Sequence, residues 1–159
     1  MSIVRFYCGD PAAPKPNRPT RLGVNALVEW QGRLLLERRG DSGEWGLLGG
    51  GVKGREPERR AMARELWEET GLRLPEGAFE KLGVFDTPSR IASYRDGSVW
   101  RMVIVLYRIQ LTREPILLRS SESKELRLFA PAELPNLGIV CTHRDLVENY
   151  WLSKQGFVK

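Results

Sequence analysis

The amino-acid sequence predicts an α+β fold in which a mixed β-sheet is sandwiched by helices. Three observations carry this expectation. Apolar runs and helical stretches follow one another as strands, helix, strands, helix, without a regular βαβ alternation. Residues 99–111 (VWRMVIVLYRIQL) are β-branched and nearly continuously apolar, as a central strand is. Between them and the first strands, residues 50–72 (GGVKGREPERRAMARELWEETGL) join a glycine-rich turn to a charged helix.

In chain order, residues 1–20 include the stretch CGDPAAPKPNRPT. Its four prolines exclude a helix or a central strand and predict an extended arm ahead of a single domain over residues 21–159. LGVNALVEW and RLLLE are two apolar runs separated by Gln31-Gly32, the pattern of a β-hairpin. A polar loop holding Arg38 and Arg39 follows, then the short apolar segment WGLL leading into Gly49-Gly50-Gly51. Three glycines permit positive φ and a close backbone approach to a ligand. Pro57 suits a first helical turn, flanked by acidic Glu56 and Glu58. The helix is expected to run to Thr70, with Gly71 as its left-handed stop. Residues 79–87 read as a strand and residues 89–100 as an exposed hairpin tip turning at Tyr94-Arg95-Asp96-Gly97. Residues 126–129 alternate like an outer strand, residues 131–134 resemble a turn of helix, and RDLVENYWLS predicts a terminal amphipathic helix from Arg144.

Length and composition narrow the function classes. A chain of 159 residues forms one domain and buries about two-thirds of its unfolded surface without staples. Cys8 and Cys141 are far apart in sequence and give no disulfide scaffold or zinc pattern. The first residues are too short and polar for a signal peptide, and no apolar run reaches the roughly 18 residues of a membrane span. These features predict a cytoplasmic protein without a membrane partner. The net charge of +5 suits an anionic ligand.

The charged helix carries the chemistry. Glu65, Glu68 and Glu69 stand at i, i+3 and i+4 and share one helical face. Like charges so placed destabilise an isolated helix by a few tenths of a kcal/mol per pair. The arrangement makes sense if a cation sits among the carboxylates, and hard oxygen ligands suit magnesium, calcium or manganese.

The spacing Gly50, five residues, Glu56, seven residues, Arg64-Glu65-Leu66-Trp67-Glu68-Glu69-Thr70-Gly71-Leu72 resembles the Nudix box, G-x5-E-x7-R-E-U-x-E-E-x-G-U with U aliphatic. Seven of its positions demand one residue type, so chance agreement at a given site is on the order of 10⁻⁸. A preceding hairpin, a W-x-L-x-G-G approach and an E-x-x-E-L-R-x-F segment extend the likeness over most of the chain.

The resemblance implies an α/β/α sandwich (the Nudix fold) and metal-dependent hydrolysis of a diphosphate bond in a nucleoside diphosphate linked to another moiety. The substrate would be a nucleotide sugar, an ADP-ribose type or a nucleoside triphosphate. It implies magnesium, with manganese as a substitute, and a small nucleotide-type partner. Carried over residue by residue, Glu65, Glu68 and Glu69 would be metal ligands, joined by Glu56 and by a backbone carbonyl at Gly50 or Gly51. Arg64 would pair with a box glutamate such as Glu56 and orient the carboxylates. The general base would be a box glutamate or a later one, Glu122 first and Glu125 second. Arg38, Arg39, Gly50, Gly51 and Lys53 are the candidate substrate contacts. Trp45, Trp67 and Trp100 are expected in the core, and His143, the only histidine, at the surface or at a helix cap.

Three residues depart from common family usage: Leu48 in place of proline, Lys53 in place of an acid and Arg55 in place of glycine. Two other readings compete with the enzyme. A ligand-sensing Nudix domain has no need of the full acidic set. An RNA 5′-cap pyrophosphohydrolase would use the basic charge, but no aromatic-basic stripe for extended nucleic-acid binding is present. The oligomeric state, a homodimer included, stays open.

Overall fold

A computed structural model describes residues 4–155. In chain order its elements are β1 (Arg5–Cys8), β2 (Arg21–Trp30), β3 (Arg33–Arg39), β4 (Trp45–Gly46), β5 (Leu48–Gly51) and α1 (Glu58–Thr70). They continue with β6 (Glu80–Phe85), β7 (Arg90–Ser93), β8 (Val99–Gln110), β9 (Ser123–Phe129) and α2 (Cys141–Tyr150), with single 3₁₀ turns before β6, after β9 and after α2.

The sheet is built around β2 and β8, which run parallel from the Arg21–Met102 pair to the Glu29–Gln110 pair. Both are rich in β-branched and aliphatic residues, which fit a pleated surface covered on both faces. The other pairings are antiparallel, so the sheet is mixed as the sequence predicts. β2 changes partner along its length. Residues 23–26 pair with β5, while residues 28–30 pair with β3. The sheet forks there, with the glycine strand on one branch and the end of β3 on the other.

Each face of the sheet is covered by one helix. α1 packs Ala61, Met62 and Leu66 against Val24, Ala26, Leu35, Val105 and Tyr107. α2 packs Leu146 and Val147 against Leu27, Leu34, Leu36 and Leu106, with Trp151 beyond its end. Each aliphatic side chain removed from water contributes about 1.5–3 kcal/mol. Gly71 stops α1 at φ +77°, and its N–H donates to Trp67 O.

Four features depart from the sequence reading. The arm is not merely extended: β1 pairs with β7 at the sheet edge, and the Asn17 side chain bonds Gly97 O and Val99 N–H. The prolines 11, 14, 16 and 19 follow the strand-forming RFYC and so do not interrupt it. The 89–100 hairpin is exposed only at its turn. Arg90, Ile91 and Ala92 are buried, because β1 covers the free edge of β7 and Arg90 donates to Thr142 O in α2. α2 starts at Cys141, three residues before the expected Arg144. Its cap is Val140, which no side chain caps; main-chain bonds of Trp45 to Gly138 and Val140 fix the start instead. Finally, Trp67 is half-exposed beneath Arg73, while Trp45 does lie in the core.

Candidate active site

A cavity of about 480 Å³ occupies the fork of the sheet. β5 supplies Gly49, Gly50 and Gly51 to its wall, α1 supplies Glu65 and Glu69, and β3 supplies Glu37 and Arg39. Glu122 comes from the loop before β9, and Thr142 and His143 come from the first turn of α2. Phe6 of β1, Arg21, Tyr94 and Met102 also line the cavity. β-Strand alternation explains the choice on β3: Glu37 and Arg39 share the cavity face and Arg38 takes the other.

Close approach is what the glycines provide. Gly49 sits at φ +148°, and a Cβ there would lie 1.9 Å from Val24 O. Its N–H donates to Glu69 Oε1 at 2.8 Å. A Cβ on Gly50 would lie 2.5 Å from the Glu65 carboxylate, so β5 and α1 touch through that glycine. The turn before the helix obtains its left-handed residue from Gly54 (φ +52°), which leaves Arg55 an ordinary backbone.

Arg64 gathers the acidic residues. Its guanidinium holds both oxygens of Glu56 at 2.7 and 2.9 Å, and reaches Glu65 at 3.0 Å, Glu68 at 3.2 Å and Gly51 O at 3.1 Å. The expected Arg64–Glu56 pair is present, and it holds the Glu56 carboxyl down at about 2. Glu65 and Glu69 go the other way. Burial raises the pKa of each, and Glu37 raises that of Glu69 further. Glu37 is itself 6% exposed and lies beside Glu69, and burial raises the pKa of both. Two buried carboxyls in contact are costly as a double anion.

The donor set fits a hard divalent cation: Glu37, Glu65, Glu69 and Glu122 line one cavity with backbone oxygens nearby, and the raised Glu65 and Glu69 carry charge that a cation would offset. Among the described residues no three such side chains already converge as a closed ligand set. Arg64 holds Glu65 and Glu68 instead.

Not every predicted residue reaches the cavity. Glu65, Glu69, Glu122, Arg39, Gly50 and Gly51 line it. Glu68 and Glu56 are tied to its edge through Arg64. Arg38 is exposed and donates to Gly43 O, Lys53 is exposed in the turn, and Glu125 pairs with Arg127. Arg39 is held by both oxygens of Asp41 and lies 5.0 Å over the Phe6 ring. His143 is buried, not superficial: burial together with Arg39 and Arg90 lowers its pKa to about 3, and its Nδ1 accepts the Leu47 N–H. Sequence reasoning missed Glu37, Asn25 and Phe6. The first two carried a signal, since a lone polar residue inside an apolar strand needs a partner.

A family model, NUDIX domain, matches residues 19–150. The chain belongs to the Nudix family. A MutT-like protein of Streptomyces ambofaciens is 42% identical over 67 residues, which is 42% of each chain, so this Nudix chain spans less than half the length of that relative. A CTP pyrophosphohydrolase of Escherichia coli K12 is 29% identical over 119 residues, 72% of this chain and 86% of the relative. A solved MutT NUDIX hydrolase of Burkholderia pseudomallei is 31% identical, with a TM-score of 0.64 over 83% of this chain and 98% of that one. The Nudix α/β/α arrangement is the one described above.

Proposed function

We propose that the chain is a divalent-metal-dependent pyrophosphohydrolase that cuts the diphosphate linkage of a nucleotide-type substrate. The observation that carries this reading is the gathering of Glu65, Glu69, Glu37 and Glu122, from three separate segments, around one cavity beside the Arg64 cluster. A fold does not need this, because it buries like charges at a cost.

Glu65, Glu68 and Glu69 would hold magnesium or manganese. Such an ion offsets the charge of a diphosphate and activates water. Arg64 keeps the carboxylates in register through its five contacts. Glu122, from the loop before β9, would accept the proton of the attacking water as general base. Arg39, fixed by Asp41 and Phe6, presents a cation to the departing phosphate. A nucleoside triphosphate is favoured over a nucleotide sugar by the likeness to the Escherichia coli CTP pyrophosphohydrolase, which extends over 86% of that relative.

The test is a panel of nucleoside triphosphates, nucleotide sugars and dinucleotides, incubated with magnesium or manganese and read by product chromatography. A nucleoside monophosphate and pyrophosphate are the expected products of the triphosphates. Glu68→Gln is expected to lower kcat by orders of magnitude with the melting curve preserved. No turnover of any member with either metal overturns the reading.

A further inference from the structure

Two buried polar side chains in the cavity wall are each only half used. Asn25 is 7% exposed and His143 is 6% exposed, and both line the cavity. The main chain just ahead of Gly49 holds one end of each. Leu47 N–H donates to His143 Nδ1 at 3.1 Å. A ring nitrogen that accepts carries no proton, so the neutral imidazole has its proton on Nε2. Asn25 Nδ2 donates to Leu47 O at 3.4 Å and Leu48 O at 3.3 Å, which leaves Oδ1 as an acceptor. Among the described residues neither Nε2 of His143 nor Oδ1 of Asn25 bonds a protein group. Neither belongs to the buried atoms sealed from solvent without a partner. Each free atom therefore opens on the cavity.

We propose that Asn25 and His143 are specificity-determining residues, a fixed acceptor and a fixed donor that read the polar edge of the substrate's nucleobase. A nucleobase is the part of a nucleotide that presents a donor beside an acceptor in one rigid plane. Phe6, Met102 and Ile104 line the same cavity and supply apolar surface for its faces. The reader and the carboxylates share one support: residues 47–48 hold Asn25 and His143, and Gly49 N–H holds Glu69. Base and diphosphate are thus registered by three consecutive residues. Neither side chain can turn to suit another ligand without leaving a buried main-chain group unpaired.

This inference rests on the pyrophosphohydrolase reading, and the experiment separates the two. The kcat/KM of ATP, CTP, GTP and UTP is measured with magnesium for the wild type, Asn25→Val, His143→Phe and His143→Gln, with the inhibition constant of pyrophosphate alongside. The wild type is expected to prefer one base at least about 10-fold. Asn25→Val and His143→Phe each lower kcat/KM for that nucleotide about 10–100-fold and flatten the preference. Pyrophosphate inhibition stays within about twofold, and His143→Gln, which keeps a donor, recovers part of the loss. If Asn25→Val does not melt cooperatively, Asn25→Ser replaces it. An unchanged base preference in the variants, equal rates for all four in the wild type, or a parallel loss of pyrophosphate binding overturns the inference and leaves the proposed activity standing. If the wild type hydrolyses nothing, the proposed activity fails. The inference is then read from calorimetry of the four nucleosides without metal: binding lost in the variants supports it, and equal or absent binding overturns it.

Discussion

Acid should weaken this protein through one imidazole. His143 is buried with Arg39 and Arg90 near it, and its pKa falls to about 3. In the unfolded chain the ring titrates near 6.5 (about the model-peptide value). Between those values the unfolded chain binds a proton that the folded chain refuses. Stability is therefore complete above pH 6.5, falls as pH drops through 6.5, and goes on falling until about pH 3. At pH 5 the chain lies about 1.5 units below the unfolded value, and at about 1.4 kcal/mol per unit the loss is about 2 kcal/mol. For a domain of this size that lowers Tm by about 4–8 °C. The structural reason is local, because a proton on Nδ1 would face the Leu47 N–H that now donates to it.

The buried carboxyls act with the opposite sign. Burial raises the pKa of Glu37, Glu65 and Glu69, so their folded forms gain protons first and favour folding as pH falls. A single pH curve mixes both effects. The measurement is the stability difference between the wild type and His143→Gln, by urea unfolding without divalent metal at pH 7.5 and pH 5. The wild type should lose about 2 kcal/mol relative to the variant between the two pH values. A difference that stays constant within about 0.5 kcal/mol would show that the ring is charged, or solvated, in the folded state.

Four further outcomes follow from particular contacts. Gly49→Ala should cost at least about 3 kcal/mol in urea unfolding, since its Cβ meets the Val24 carbonyl at 1.9 Å and its φ is +148°. Gly50→Ala should instead fold within about 1 kcal/mol of wild type and lose turnover, because the atom it meets is the movable end of Glu65. Arg64→Lys keeps the charge but not the fork that grips Glu56, Glu65 and Glu68, and should lower metal affinity about 10–100-fold in a manganese titration with the Tm nearly unchanged. Trp151→Phe removes the Nε1–H that Glu29 accepts and should cost about 1–3 kcal/mol with activity retained.

What the sequence reveals of this site, and what it hides, follows from the range of the forces involved. Glu65, Glu68 and Glu69 are legible because a helix converts spacing of three and four directly into a shared face. Gly71 is legible for the same reason, as a local backbone rule. The strand order and the start of α2 are not local. Val140 caps that helix only because Trp45 bonds both Gly138 and Val140, a contact across almost a hundred residues. Phe6 is hidden differently, since the prolines behind it dominate the reading of the arm, while its position depends on the edge that β7 offers.

Glu37 and Asn25 lie between these extremes. Each is a single polar residue at the end or middle of an apolar strand, and period-two alternation alone assigns both to a covered face. Physical chemistry then requires a partner for each. For Asn25 the partners are carbonyls of residues 47 and 48, and for Glu37 the partner is Glu69, twenty residues beyond Gly49. No pattern in the sequence pairs them, because the fork of the sheet brings them together. The same fork explains why the site has two characters. Its β5 branch carries glycines that let a carboxylate helix approach, and its β3 branch carries a buried acid that makes the approach costly without a cation. A chain selected for stability alone would place leucine at position 37, continuing the run of Leu34, Leu35 and Leu36. The chain instead carries an acid there, facing the cavity beside Glu69, where a bound cation would offset its charge.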